Sequence, residues 1–545
     1  MPPSKVLSTP QAQAQVAIAV RENSLPVGYK LESQLPRDVL NVMHIPRSSG
    51  LLTPWELDIT ENYDATALLE LLATQKVSAV GVVEAFRRRA AIANDLTNCL
   101  TELIPDALDW AKAADDYLKN TGKTLGPLHG LPISLKEQIS VAGRRTNASF
   151  VAWVERKSER HASVVASLRC LGAIPFARTT QPQAFMQLET ANNIYGRTLN
   201  PRNRLLTSSG SSGGEAALMA MQGSPMGIGG DIGGSIRGPA GLNGLWGFKP
   251  STGRFSGSGV IVPWPGCDSI RGTLGPFAHS LRDIILLMET YSLSQPWVDD
   301  PTLLPWPVSA ARGVIRNRPL RVGIMMTDGV VTPLPPVQVV MDEVVRRLRA
   351  SPLIDVRPFT ALRHGDAWRI ISANYFEDGG SKIEELIAEG GEPVLPLTAW
   401  ILEECKKNEQ KTADTTQGRR QARDEFREAY NAHWKAAGID VVIAPVAPGV
   451  ANPHGTSKYW TYTAVWNLLD FPGIAFPASE MIGGYARPLE GIPYVHTNEI
   501  EEEIAKHYDP QVAQAMPVGL QIVAPRWMDD MCLAAARVVE TALAA

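Results

Sequence analysis

Apolar positions recur along the chain in two rhythms. Leucine and alanine dominate Ala65 to Gln75. Beyond Ser78 the residues Val80, Val82, Val83, Phe86 and Ala90 return at helical spacing, and Ser78 can accept a hydrogen bond from the first turn. The same rhythm predicts helices over Ala162 to Cys170, Glu215 to Gln222, Ser280 to Tyr291 and Val337 to Leu348, and one starting at Met528. Between them lie short apolar runs bounded by glycine, proline and polar residues. These are Leu131 to Leu135, Ala173 to Ala177, Arg321 to Met326, Ile354 to Val356, Val441 to Ala444, Gly473 to Phe476 and Val518 to Val523. Short runs that are mostly apolar suit strands buried on both faces. Strands alternating with helices predict an α/β protein with a mostly buried sheet.

Two stretches break the rhythm. Residues 1 to 60 carry scattered proline and polar residues and are expected to form an arm or cap. The charge-dense stretch from Ser381 to Arg427, with Lys382, Glu384, Glu385, Lys406, Lys407, Arg419 and Arg420, is expected to be a solvated helical excursion. No run approaches the roughly 18 apolar residues of a membrane helix, so no integral membrane segment is expected. Met1 to Gln15 lacks the apolar centre of a signal peptide, and Leu543-Ala544-Ala545 matches no address signal.

Composition narrows the class. The 545 residues are 44% apolar and 20% charged, ordinary for a globular protein, and by length alone could form three domains. The formal charge of −4 is nearly neutral at this length, which argues against nucleic acid as a partner. Five cysteines, widely spaced and without a C-x-x-C pair, read as reduced thiols of a cytoplasmic protein. The nine histidines show no paired ligand spacing, so neither a metal nor another cofactor is expected.

Most of the chemical information lies between Thr207 and Pro250. Ser208-Ser209-Gly210-Ser211-Ser212-Gly213-Gly214-Glu215 is followed by Ile228-Gly229-Gly230-Asp231-Ile232-Gly233-Gly234-Ser235-Ile236-Arg237. Glycine allows backbone to approach a ligand, and successive N–H groups can converge on a developing oxyanion. A phosphate loop fails, because Tyr117 stands where the first glycine before Gly122-Lys123-Thr124 is required, and the dinucleotide fingerprint from Gly227 fails at Ile232. Gly210-Ser211-Ser212-Gly213-Gly214 satisfies a nucleophile elbow with Ser212 as nucleophile, and His433, His454, His496 and His507 could supply its base. A flexible surface loop would explain one such string more easily than two. A third reading uses Lys136, which ends an apolar strand. A buried lysine can have its pKa lowered from about 10.4 towards 7–8 and then act as a base.

Gly130-Leu131-Pro132-Ile133-Ser134-Leu135-Lys136, Gly210 to Glu215 and Asp231 to Arg237 together resemble the amidase signature family, with a 24-residue step from Ser211 to Ser235. Asn200-Pro201, Gly247-Phe248-Lys249-Pro250 and Pro517-Val518-Gly519-Leu520-Gln521 extend the match. Gly126 to Lys136, Asn192 to Arg202 and Asn467 to Pro472 look most like fungal acetamidases and general amidases. The resemblance runs from about residue 50 to the end. It implies one large α/β domain over residues 61–545, with a central mixed β-sheet covered on both faces by helices. Because Lys136, Ser211 and Ser235 must then meet, a domain boundary between them is excluded.

By resemblance the site is a Ser-Ser-Lys triad, with Ser235 as nucleophile, Ser211 as bridging serine after a cis peptide bond, and Lys136 as base. The oxyanion hole is expected from the N–H groups of Ile232, Gly233, Gly234 and Ser235. Asp231 and Arg237 are expected to brace the loop, Ser212 to bond within the lysine network, and Phe185 and Met186 to touch the acyl group. The implied reaction is hydrolysis of a small-molecule amide through an acyl-enzyme, with esters as a side substrate. A lipid-amide hydrolase and a glutaminase subunit of an amidotransferase are the alternatives, and the family suggests a homodimer. Two positions depart from the family pattern. Gly230 stands where Thr or Ser is usual, and Ser209 replaces a glycine.

Overall fold

The computed structural model describes residues 9–31, 36, 38–306 and 318–544. The readings of Met1 to Gln15, of the arm and of the extreme C-terminus therefore fall partly outside the described residues.

One sheet of eleven strands runs through the described residues. In chain order these are β1 (Leu100–Leu103), β2 (Pro132–Lys136), β3 (Ile174–Thr179), β4 (Met226–Asp231), β5 (Trp246–Lys249), β6 (Thr273–Ala278), β7 (Leu320–Ile324), β8 (Ile354–Pro358), β9 (Val441–Pro445), β10 (Gly473–Phe476) and β11 (Leu520–Val523). Their order across the sheet is β1-β3-β2-β4-β6-β5-β10-β11-β9-β7-β8. The sheet is mixed. β3, β2 and β4 are parallel neighbours, as are β9, β7 and β8, and the strands joining these two groups pair antiparallel.

Side chains leave successive strand positions on opposite faces. Val441 and Ile443 enter one large apolar core, and Val442 and Ala444 enter a second. Helices cover both. Ser78 caps α1 (Ala79–Thr97), its Oγ accepting from the Gly81 N–H at 3.1 Å. α1 packs on β3 and on α2 (Gly213–Ala220), while α3 (Arg237–Asn243) packs on β5 and β10.

Three segments gain definition. The glycine-rich segment before Asp231 is not loop but the buried strand β4. Its glycines are demanded by packing: a Cβ at Gly227 would meet the Glu215 carboxylate, and one at Gly229 would lie 2.8 Å from Ser212 Oγ and against the Phe277 ring. The charge-dense stretch is helical but not merely solvated. Ile383, Leu386, Ile401, Leu402 and Phe426 lie in the second core, so its charges mark only the outer faces of amphipathic helices. The arm is also engaged, since Val42, Ile45, Leu52 and Ile59 belong to the first core.

Candidate active site

Because β2 and β4 run parallel, with Ser134 opposite Gly227 and Leu135 opposite Ile228, their carboxyl ends share one edge of the sheet. Open α/β sheets bind ligands at such ends. Lys136 closes β2 and Asp231 closes β4. The loop after Asp231 carries Ser235 into α3.

Lys136 is 1% exposed, and its Nζ lies 2.6 Å from the Oγ of Ser211. Burial pushes the lysine pKa down to about 7, against the pull of the Asp231 and Glu215 carboxylates. Burial raises Glu215 as well, although the hydroxyls of Ser134 and Thr179 donate to its carboxylate. The Gly210–Ser211 peptide bond is cis.

Asp231 anchors the loop that follows it. Its Oδ1 accepts from the Gly234 N–H at 2.8 Å and from Asn467 Nδ2 at 2.9 Å, and its Oδ2 accepts from the Ile236 N–H at 3.1 Å. Arg237 donates to both oxygens at 3.1 Å, and both side chains are fully buried. Burial alone would raise the carboxyl of Asp231, but the Arg237 guanidinium holds it well below the usual carboxylate range. Arg237 is held in turn by Gln521 Oε1 at 2.9 Å and Asn467 Oδ1 at 2.7 Å. Gly234 has φ +126°, and a Cβ there would strike Thr463, so the position requires glycine.

The structure sorts the expected residues. Asp231 and Arg237 form the brace. The Gly234 N–H, expected in the oxyanion hole, is already taken by Asp231. Ile232, Gly233 and Ser235 have N–H groups without a protein acceptor among the described residues. Ser212 does not join the lysine network. Its hydroxyl bonds the N–H and carbonyl of Gly230, each at 3.3 Å, which engages it with β4 rather than leaving it exposed as an elbow nucleophile would be. His433 and His454 are also engaged elsewhere, with the Thr360 carbonyl and Glu189. Ser209 adopts φ +65°, the left-handed backbone that favours the glycine it replaces.

Ser235 is 4% exposed, and its hydroxyl donates to no protein acceptor among the described residues; its carbonyl accepts from the Ser212 N–H at 3.3 Å. A cavity of about 540 Å³ opens beside Lys136 and Ser211, lined also by Phe185, Ile232, Gln138 and Trp264. Phe185 and Met186 both pack in the second core, and Phe185 also lines this cavity. No motif or spacing in the sequence marks Gln138, Trp264 or Thr463. Only tertiary packing brings the last two to the loop, and Gln138 could have been suspected from its place two residues past Lys136.

The Amidase family profile matches residues 81–533. The chain belongs to the Amidase family, and the class so defined is a hydrolase acting on amides. Among individual relatives it is similar to the Schizosaccharomyces pombe protein named "Putative amidase C550.07", with 44% identity over 95% of this chain and 96% of that one. It is 36% identical to an acetamidase of Aspergillus oryzae, again over 95% of this chain and 96% of that one. Among solved structures, a fatty acid amide hydrolase superposes with a TM-score of 0.90 at 33% identity, covering 98% of this chain and 95% of that one.

Proposed function

We propose that the protein hydrolyses a carboxylic acid amide to the carboxylate and ammonia or an amine through Lys136, Ser211 and Ser235. The observation that carries this reading is the 2.6 Å contact between Lys136 Nζ and Ser211 Oγ, made by a lysine whose burial lowers its pKa to about 7. A neutral amine there can take a proton that Ser211 relays from Ser235. The freed Ser235 Oγ attacks the amide carbonyl. The N–H groups of Ile232, Gly233 and Ser235 receive the oxyanion. The proton returns through Ser211 to the departing nitrogen, leaving Ser235 acylated, and water then releases the acid with Lys136 again as base. Catalytic hydrogen bonds often close only around substrate, which accounts for the free Ser235 hydroxyl.

The acetamidases support a small acyl group. A second reading, a longer apolar acyl chain, is favoured by a separate cavity of about 590 Å³ whose lining includes Trp368, Trp400 and Trp460. We also read residues 1–60 as an arm on a catalytic domain of residues 61–545. The five free thiols support a cytoplasmic location.

The test is product release from acetamide, a longer aliphatic amide, benzamide, an anilide and a fatty amide, with the Ser235→Ala protein beside the wild type. The expected loss in kcat/KM is about 10⁴-fold or more on every substrate turned over. Full activity in Ser235→Ala, or a fluorophosphonate adduct on Ser212, would overturn the reading.

A further inference from the structure

Gln138 follows Lys136 by two residues, just beyond the end of β2. Its backbone is fixed, because its carbonyl accepts from the Ile261 N–H at 2.9 Å. Its side chain is not. The residue is 8% exposed and lines the same cavity as Lys136 and Ser211, yet its amide makes no hydrogen bond among the described residues. Its polar atoms face the open cavity, where a ligand group can replace water as their partner. The other polar side chains around this cavity are largely spoken for: Thr252 donates to Asp470 at 2.7 Å, and Asp300 accepts from Thr302 at 2.7 Å. Arg271, at the exposed rim, reaches only Asp268 at 3.4 Å, so Gln138 is the buried carboxamide left to meet a ligand.

The wall near it is formed by Gly230. Unlike Gly227 and Gly229 in the same strand, this glycine is not demanded by packing. A Cβ there would meet nothing nearer than Leu274 Cδ2 at 3.7 Å, the Thr273 carbonyl at 3.9 Å and Gln138 Nε2 at 4.0 Å. Its φ is not in the left-handed region either. The absent side chain therefore leaves open space beside the unpaired amide, at the position where the family pattern has a hydroxyl residue.

We infer that Gln138 and Gly230 form a subsite for a neutral hydrogen-bonding group carried on the nitrogen side of the scissile amide. The inference rests on the proposed hydrolysis. Ser211 returns the proton to the departing nitrogen, so the amine half lies on the side of the cavity nearest Ser211, Lys136 and Gln138, with Phe185 lining the remainder. A glutamine amide offers donor and acceptor together, and a second carboxamide satisfies both at once. A carboxylate beside Lys136 would pull the lysine towards its charged form, which disfavours an anionic amine half at Gln138, although Arg271 stands at the rim of the same cavity. The substrate class is an N-substituted amide whose amine bears a carboxamide.

Two substrates with one acyl group and nearly isosteric amines, glycinamide and isobutylamine, test this. The full-length wild type is expected to favour the glycinamide derivative in kcat/KM by about tenfold or more. Gln138→Leu brings that ratio to about one. Gly230→Thr, which fills the space, lowers kcat/KM on both N-substituted substrates relative to the primary amide. A second measurement needs no turnover. Calorimetry on the Ser235→Ala protein should show N-acetylglycinamide binding more tightly than N-isobutylacetamide, and Gln138→Leu in that background should remove the difference. A wild-type ratio near one, or a ratio and binding difference that survive Gln138→Leu, would overturn the subsite. Absence of any amide turnover, with the binding difference intact, would overturn the hydrolysis and spare the subsite.

Discussion

On the proposed mechanism Lys136 works only without its proton, and its surroundings set the pH at which it lets go. With a pKa of about 7 in the folded protein, kcat/KM should fall about tenfold per pH unit on the acid side and level off above about pH 7. Lys136→Met should abolish this limb together with the activity. The same group has a stability signature of fixed sign. The unfolded lysine keeps its proton up to about 10.5, so between pH 7 and 10.5 the unfolded chain binds a proton that the folded one has shed. Stability gains from this group as pH rises through that window, and the gain is lost again as pH falls from 10.5 to 7, below which this group no longer changes it. Urea unfolding at pH 7 and pH 9.5 should show a smaller rise for Lys136→Met than for the wild type. An equal rise would mean that the lysine is not held neutral. The residue types of this site are legible in sequence, because a lysine ending an apolar strand and two serine-glycine strings are unusual. Which N–H and which hydroxyl stay free is not. Asp231 claims the Gly234 N–H and Gly230 claims the Ser212 hydroxyl through contacts that no spacing encodes.

At the scale of elements, the segment least legible is the strand that leads into the site. β4 reads as loop because strand propensity penalises glycine, and here tertiary crowding overrides propensity. Glu215 of α2 and Ser212, just before that helix, press onto one side of the strand, and Phe277 of the neighbouring β6 closes over it. The amphipathic helices and the apolar strands β2, β9 and β10 were legible because burial and period coincide there. The contrast within β4 can be measured. Gly229→Ala drives a methyl against the Phe277 ring and Ser212 Oγ and should cost about 1–3 kcal/mol of stability. Gly230→Ala meets only ordinary contacts, and its unfolding midpoint should stay at the wild-type value. Urea titration of both proteins checks this, and equal midpoints would refute the packing account of the strand.

Across the whole molecule, length permits several domains, and the sheet removes that freedom. Eleven strands in one continuous order tie β1 to β8, so the two parallel groups cannot separate without breaking the antiparallel strands between them. The described residues of the arm, within 1–60, lie outside the sheet, and here burial decides whether the arm is accessory. Val42, Ile45, Leu52 and Ile59 are each at most 7% exposed and share a core with Leu68 and Phe86. Ser24 Oγ accepts from the β1 residue Leu103 at 2.9 Å, and the nearly buried Arg89 donates to Thr60 Oγ1 at 2.9 Å. Each large apolar side chain returned to water forfeits about 1.5–3 kcal/mol, an upper range since unfolded chains bury some surface. Four such residues, with Arg89 losing a buried partner, amount to a large share of the 5–15 kcal/mol or so that holds a typical domain together. A chain lacking residues 1–60 should therefore unfold well below the wild-type temperature or fail to accumulate as soluble protein, while the full chain should unfold in one cooperative transition. Calorimetry on both decides the matter. A truncated protein with the wild-type midpoint and full amide turnover would show the arm to be an accessory, and two transitions in the full chain would show that the sheet does not hold the molecule together as one unit.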